Sequence, residues 1–264
     1  MSFDKLHDCK VIDVIKLSED VFSIKIDISD FDVPVRPGQF VNVKCGRGLE
    51  TLLRRPISIC DADNEQKTMT LAFQIRGKGT EILALTKIGD ILDIIGPLGT
   101  EFYQPDSGNI AVVGGGIGIF PLYYLLKELP SCTRKTYLGF RNKDSVFMEE
   151  DFTNVSEKIN IATDDGSYGY DGFVTAMLKA DLEAGNIPDV IYTCGPVQMM
   201  SIVVKLANEY GVKCQVSMEE RMGCGIGACL VCSCKLKSDN ESGWYNGHVC
   251  KDGPVIWSDR VFEG

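Results

Sequence analysis

Cys224-Gly-Ile-Gly-Ala-Cys229-Leu-Val-Cys232 sets three thiols in one short loop, and Cys250 follows after 17 further residues. Four residues separate the first pair and two the second, so the pattern reads C-x4-C-x2-C…C, the spacing of plant-type [2Fe–2S] ligation. The physical sense is close wrapping of a small anionic group: Gly225 and Gly227 let the backbone approach inorganic sulfide, and amide N–H groups there stabilise its charge. Structural zinc is the alternative, but zinc modules usually pair short C-x2-4-C elements rather than grouping three thiols in one loop. Cys234 competes with Cys232 for the third position; the C-x2-C spacing favours Cys232 and leaves Cys234 a bystander. Cys9, Cys45, Cys60, Cys132 and Cys214 are scattered and read as small buried apolar residues.

Two further stretches suit phosphate. Val112-Val-Gly-Gly-Gly-Ile-Gly118 leaves a strand and opens a helix. Gly114, Gly115, Gly116 and Gly118 would admit a diphosphate to a helix N-terminus, where unpaired N–H groups and the dipole favour negative charge. A tight strand–helix turn without ligand is the competing explanation, since the pattern is not quite G-x-G-x-x-G. Cys194-Gly195-Pro196 ends a later strand and would face the same crevice, whereas Thr163-Asp-Asp-Gly-Ser-Tyr-Gly169 also reads as a surface turn. Earlier, Arg54-Arg-Pro-Ile-Ser58 carries two guanidinium groups on an apolar strand, suited to bidentate phosphate contact. Gln74-Ile75-Arg76 and the turn Gly77-Lys-Gly79-Thr80 add a second candidate anion site; an exposed basic strand is the alternative.

The elements that must position these residues fall into three regions. Up to about Tyr103, runs such as Val21–Ile28, Gln39–Lys44 and Thr68–Ile75 alternate apolar and polar residues between Gly, Pro and Asp turns. That period-2 pattern predicts antiparallel strands in a small barrel, with one helical piece at Thr80–Thr86. From about 107 to 213 the rhythm changes. Strands at Ile110–Val113, Thr136–Phe140, Lys158–Ala162 and Val190–Cys194 alternate with helices running to Leu129, at Phe173–Leu182 and at Val197–Tyr210, which predicts a parallel sheet with crossovers. The last region, from Met218, holds five of the eleven cysteines and little periodicity. The expected division is 1–104, an antiparallel β-barrel; 105–216, a Rossmann-like α/β unit; and 217–264, a cysteine segment, giving a multidomain α+β protein.

A net charge of −10 in 264 residues argues against nucleic acid or an anionic membrane as partner. The N-terminus has no continuous apolar segment of a secretion signal, so disulfides are not expected and a cytoplasmic location is. Ser107–Leu126 is uncharged for 20 residues, but its central glycines and Pro121 fit a strand–loop–helix rather than a membrane span.

Taken in order along the chain, these motifs resemble the ferredoxin-reductase-type flavoproteins, and more narrowly the electron-transfer subunits of dihydroorotate dehydrogenase B. The resemblance runs through Pro37-Gly-Gln-Phe40, Leu53-Arg-Arg-Pro-Ile-Ser58, Gly96-Pro-Leu-Gly99, Gly114-Gly-Gly-Ile-Gly118, Ala162–Gly169, Tyr192-Thr-Cys-Gly195 and Ser217–Cys229. It implies that Arg55, Pro56, Ile57, Ser58, Gln74, Ile75, Arg76, Gly79 and Thr80 contact FAD, with Arg55 on the diphosphate and Ser58 by the isoalloxazine. It implies that Gly114–Gly118 and Cys194, Gly195 and Pro196 line the NAD site, and that Cys224, Cys229, Cys232 and Cys250 ligate the cluster. Two features depart from the family: the segment between Cys232 and Cys250 is longer, and the 76–80 turn is shorter than in some relatives.

The three cofactors are chemically coherent. NADH yields two electrons as hydride, a [2Fe–2S] cluster takes one at a time, and flavin does both, so FAD belongs between them. An acid–base catalyst is neither needed nor evident, and no organic-substrate site shows, so a partner is required. The resemblance implies an FMN-containing dihydroorotate dehydrogenase subunit in a heterotetramer of two of each, serving pyrimidine (UMP) biosynthesis. The alternatives are a subunit of an NAD(P)H:ferredoxin oxidoreductase, hydrogenase or sulfide-linked reductase, and a non-catalytic zinc module. Arg141 stands where a 2′-phosphate contact could form, but Asp144 is close by, which favours NAD over NADP.

Overall fold

The computed structural model describes residues 6–46, 48, 51–239 and 242–261; the outer limits expected for the first and third regions lie outside the described residues. The alternating runs of the first region become six strands: β1 (Leu6–Lys16), β2 (Val21–Asp27), β3 (Phe40–Val43), β4 (Arg55–Asp63), β5 (Thr68–Gln74) and, after the short helix α1 (Lys78–Leu83), β6 (Ile91–Leu98). They close into an antiparallel barrel in the order β1-β2-β5-β4-β3-β6, which leaves no free edge. Period-2 alternation turns Ile24, Ile26, Val43, Ile59 and Leu71 into the barrel core.

The second region is a seven-stranded sheet. Its parallel members are β7 (Gly108–Gly115), β8 (Cys132–Phe140), β9 (Lys158–Thr163), the two-residue β10 (Tyr170–Asp171), β11 (Val190–Cys194) and β12 (Lys213–Ser217). The crossover helices are α2 (Ile119–Lys127), α3 (Glu149–Asn154), α4 (Val174–Glu183) and α5 (Val197–Glu209). The order β10-β9-β8-β7-β11-β12 reverses direction between β7 and β11, which is where open parallel sheets form their ligand crevice. The uncharged Ser107–Leu126 stretch is thus β7, a glycine turn and α2. Among the described residues no helix is long and apolar enough to cross a membrane.

The cysteine segment holds more regular structure than its sequence shows: a hairpin of β13 (Ser233–Lys237) and β14 (Trp244–His248), one helical turn α6 (Val249–Asp252), and β15 (Val255–Trp257). β15 adds antiparallel to β12, with Val216 opposite Ile256, so the cysteine segment is stitched into the sheet. A strand of three residues, buried on both sides, has no periodicity to display.

Helix α2 locks barrel and sheet together. It is apolar nearly all round because it is covered by both, and Pro121 sits in its first turn, where no N–H is required. Tyr124 is fully buried in the barrel core and donates its hydroxyl to the Val35 carbonyl at 3.0 Å. Lys127 Nζ reaches both Asp61 carboxylate oxygens at 2.6 and 2.7 Å. Tyr124→Phe removes the hydroxyl but leaves the Val35 carbonyl its second donor, Asn64 Nδ2 at 3.0 Å, so urea unfolding of the variant is expected to show a loss of about 0.5–1.5 kcal/mol.

Candidate functional site

The crevice begins at the carboxyl ends of β7 and β11, where Gly114 stands opposite Cys194. The glycine turn after β7 is built mainly for close packing against protein. A Cβ on Gly118 would lie 2.5 Å from the Cys194 carbonyl oxygen, and one on Gly115 would lie 2.8 Å from Pro196. Gly195 (φ 149°) packs back on the Gly115 amide, and Gly114 meets Ile119 and Leu122. Gly116 is different: at φ 53° it is left-handed and faces open space. Among these glycines Gly116 faces open space, Gly115, Gly118 and Gly195 let two loops touch, and Gly114 packs against α2. Gly118→Ala is expected to force those loops apart, lowering stability by about 1–3 kcal/mol and raising the Michaelis constant for NADH in steady-state assays.

Cys194 is 2% exposed, and its thiol is pushed up to about 12, first by burial and then by the negative charge of Glu219. Glu219 lies just past β12 and was not singled out by sequence. As a residue it is exposed, yet the protein around its carboxyl raises it above the ordinary carboxylate range, with Arg76 acting in the opposite sense. Arg76 follows barrel strand β5 and Glu219 follows β12, so charge from one region acts on a carboxyl of another. The Thr163–Gly169 loop closes on itself: Thr163 Oγ accepts from the Tyr168 amide at 2.9 Å, and the Tyr168 hydroxyl donates to Glu149 at 2.9 Å. Arg141 is exposed.

On the barrel side, register separates the two arginines of the Arg-Arg-Pro motif. Arg54 is consumed within the barrel, its Nη2 2.6 Å from Asp93 Oδ1 and its Nη1 donating to the Asp93 and Asn42 carbonyls at 2.9 and 3.4 Å. Arg55 turns the other way and lies over the start of α1, so close that a Cβ on Gly79 would fall 2.7 Å from its Nε. Thr80 is buried there; its hydroxyl accepts from the Arg76 amide at 2.8 Å and donates to the Gly77 carbonyl at 3.0 Å. Arg55, Gly79 and Thr80 therefore form one cradle whose positive charge is the guanidinium. Gln74 is anchored to Asp20 at 2.5 Å. Ile57 points into the barrel core, whereas Pro56 and Ser58 are half-buried on the outer face of β4, the strand against which α2 packs.

The thiols come next. Cys232 and Cys250 are 2% and 4% exposed, while Cys224 is half-buried and Cys229 exposed. Backbone amides aim at the sulfurs: Ile226 and Ala228 donate to Cys224 Sγ at 3.4 and 3.2 Å, Gly227 to Cys250 Sγ at 3.1 Å, and Cys224 to Cys229 Sγ at 3.3 Å. Burial raises the Cys224 thiol, but the Ile226 and Ala228 N–H donors outweigh it and bring it to about 7, so this sulfur is prepared to be a thiolate. The four thiol donors and the amide nest around them suit a two-iron cluster, which takes four thiolates. Cys234, on β13, is held up to about 11 by burial and by the charges of Glu220 and Asp252.

Barrel and cysteines are in contact. Phe40 and Leu98 form one apolar cluster with Cys232, Val249 and Cys250, and Phe40 stands directly opposite Ser58 across β3 and β4. One apolar cluster thus joins the residue opposite Ser58 to two of the thiols.

Known proteins fit this geometry. Residues 219–262 match the iron–sulfur cluster binding domain of dihydroorotate dehydrogenase B, and residues 8–103 match the oxidoreductase FAD-binding domain. The dihydroorotate dehydrogenase B (NAD(+)) electron transfer subunit of Desulforamulus reducens is 39% identical over 260 residues, spanning 97% of this chain and 98% of that one. This chain belongs to that family. The Fusobacterium nucleatum member is 40% identical over 264 residues, again covering 97% and 98%. Among solved structures, NADH-dependent reduced ferredoxin-NADP oxidoreductase aligns with a TM-score of 0.84 at 31% identity, covering 96% of this chain and 89% of its counterpart. The FAD/NAD-binding domain of nitric oxide dioxygenase from Vibrio cholerae, at 19% identity and a TM-score of 0.65, shares the fold. Membership makes the chain an oxidoreductase subunit with an FAD-binding barrel and an iron–sulfur segment, as the resemblance implied. It also sets aside the non-catalytic zinc module.

Proposed function

We propose that this chain carries electrons between NAD(H) and a separate FMN-containing dihydroorotate dehydrogenase subunit, in pyrimidine (UMP) biosynthesis. The observation that carries the reading is the continuity from Ser58 through Phe40 to Cys232 and Cys250. Bound FAD and a [2Fe–2S] cluster would supply the exchange between paired and single electrons. The chain's own residues do the placing. Arg55, with Gly79 and Thr80, holds the FAD diphosphate; Pro56, Ile57 and Ser58 of β4, with Gln74, Ile75 and Arg76, border the flavin. Gly114, Gly115, Gly116 and Gly118 and the Cys194-Gly195-Pro196 turn shape the NAD crevice. Cys224, Cys229, Cys232 and Cys250 ligate iron, and the amides of residues 226–228 steady the sulfurs.

No organic-substrate site is assigned here, so dihydroorotate is handled by the partner, in a heterotetramer of two of each subunit in the cytoplasm. Reduction of NAD+ at the expense of dihydroorotate is the physiological direction. The likeness to ferredoxin-NADP oxidoreductase favours a second reading, in which the same electron path serves a ferredoxin. The test is co-expression with a dihydroorotate dehydrogenase catalytic subunit, anaerobic purification and an assay of orotate-dependent NADH oxidation. A stable complex that oxidises NADH only when orotate is present supports the proposal. NADH oxidation that responds to ferredoxin, with no association and no response to orotate, supports the second reading.

A further inference from the structure

Asn42 is an anomaly in the barrel. It lies on β3, is 1% exposed, and its side-chain oxygen has no hydrogen-bond partner among the described residues. Burying an unsatisfied amide oxygen is unfavourable, and a leucine would fill similar space without that cost. The other end of the side chain reaches across to the cysteine loop. Asn42 Nδ2 donates to the Cys224 carbonyl at 3.1 Å, across 182 residues of sequence. The fit is tight, because a Cβ on Gly225 would lie 2.6 Å from Asn42 Nδ2, and Gly225 takes a left-handed φ of 72°. The Asn42 main chain is held just as firmly: it pairs with Pro56 of β4, and its carbonyl accepts from Arg54, which Asp93 fixes.

We propose that Asn42 is a positioning residue for electron exchange between flavin and cluster: its amide pins the Cys224 peptide to the barrel strand beside β4. The inference rests on the reading that β4 borders FAD and that the four cysteines hold a [2Fe–2S] cluster. Cys224 is the ligand whose sulfur receives two amide N–H bonds, from Ile226 and Ala228. Those amides follow immediately on the peptide that Asn42 holds. Hydrogen bonds to cluster sulfurs tune the potential, and outer-shell partners of a metal ligand typically alter affinity or activity by 10–100-fold. Loss of the Asn42 bond therefore frees the loop to shift, changing both the N–H···S geometry at Cys224 and its distance from β4. In the step affected, one electron leaves reduced flavin and enters the oxidised cluster; no bond to protein forms or breaks.

The experiment compares wild type, Asn42→Leu and Asn42→Asp in the anaerobic holoprotein. Leucine removes the donor while keeping bulk, and aspartate sets an acceptor against the Cys224 carbonyl. Three quantities are read: the electron paramagnetic resonance spectrum of the reduced cluster, its midpoint potential with the FAD potential in the same sample as reference, and the stopped-flow rate of flavin-to-cluster transfer. Asn42→Leu is expected to unfold no more readily than wild type, yet to show an altered cluster spectrum, a shifted cluster potential and transfer slowed about tenfold. Loss of iron with FAD retained also supports the role. A cluster spectrum and potential identical to wild type in Asn42→Leu overturns it. If Asn42→Leu fails to fold, Asn42→Asp decides by the same comparison, and if neither variant folds the residue is structural and the proposal falls. Wild-type protein without a cluster signal would instead sink the underlying reading.

Discussion

Cys250→Ser is expected to empty the cluster site while leaving FAD in place. Iron and acid-labile sulfide per chain should fall at least about tenfold, since loss of a ligand costs no less than loss of an outer-shell partner, while the flavin absorbance is retained. The physical reason lies in the burial of this ligand. Cys250 is 4% exposed beside Cys232, and burial, followed by the hydrogen bond with Cys232, holds its thiol up to about 12. Such a thiol gives up its proton to iron and not to water, so metal capture and deprotonation are one event. A serine hydroxyl is a far weaker acid and a harder ligand, and in the same buried place it has no route to the anionic form. FAD should survive because the cradle at Arg55 and Gly79 is built from β4 and α1 alone. Cys234→Ser is the control. Its thiol is half-buried on β13, and iron content should match wild type; a fall to the level of Cys250→Ser would make Cys234 the ligand and Cys232 the bystander. Electron flow from NADH to a one-electron acceptor should collapse in Cys250→Ser alone.

The contrast between these thiols shows what a sequence discloses and where it stops. Spacing alone identified the cysteine loop, because ligation of a compact group imposes itself on neighbouring residues. Alternation identified the barrel, and strand–helix rhythm the sheet, because burial of one face or two is a local requirement. What stayed hidden is whatever one element covers on another. Asn42 occupies a polar place in the run Gln39-Phe-Val-Asn-Val-Lys44, where alternation predicts exposure; the cysteine loop lies over that face and buries it. Tyr124 looks like one more apolar residue of α2, yet it reaches into the barrel core. Glu219 follows a buried strand as an ordinary acidic residue, and nothing local in the sequence shows the protein that surrounds its carboxyl. The glycines after β7 could not be sorted from sequence, since a glycine needed by a ligand and one needed by a neighbouring loop look identical. Likewise β15 is too short to announce itself, and its pairing with β12 comes from a chain that returns from the cysteine hairpin.

Arg55→Ala should weaken FAD binding by about 10- to 100-fold, measured as flavin fluorescence released on dilution. Charge-assisted hydrogen bonds of this kind contribute about 1.5–3 kcal/mol, and each 1.4 kcal/mol is about tenfold in affinity. The helix it faces has only six residues, so its dipole is weak, and the guanidinium supplies most of the positive potential that a diphosphate meets in this acidic chain. Arg54→Ala tests whether position or mere charge matters. Arg54 has its Nη groups on Asp93 and the Asn42 carbonyl, so its loss should lower barrel stability and disturb β3 while changing FAD affinity far less than Arg55→Ala does. Gly79→Ala approaches the same cradle from the other wall. Its methyl would occupy the space of Arg55 Nε, which must swing aside, so FAD affinity should drop without any charge being removed. Equal losses in Arg54→Ala and Arg55→Ala would mean that the diphosphate responds to the summed field of the motif. Loss confined to Arg55→Ala and Gly79→Ala would mean that one guanidinium, held against one glycine, receives it.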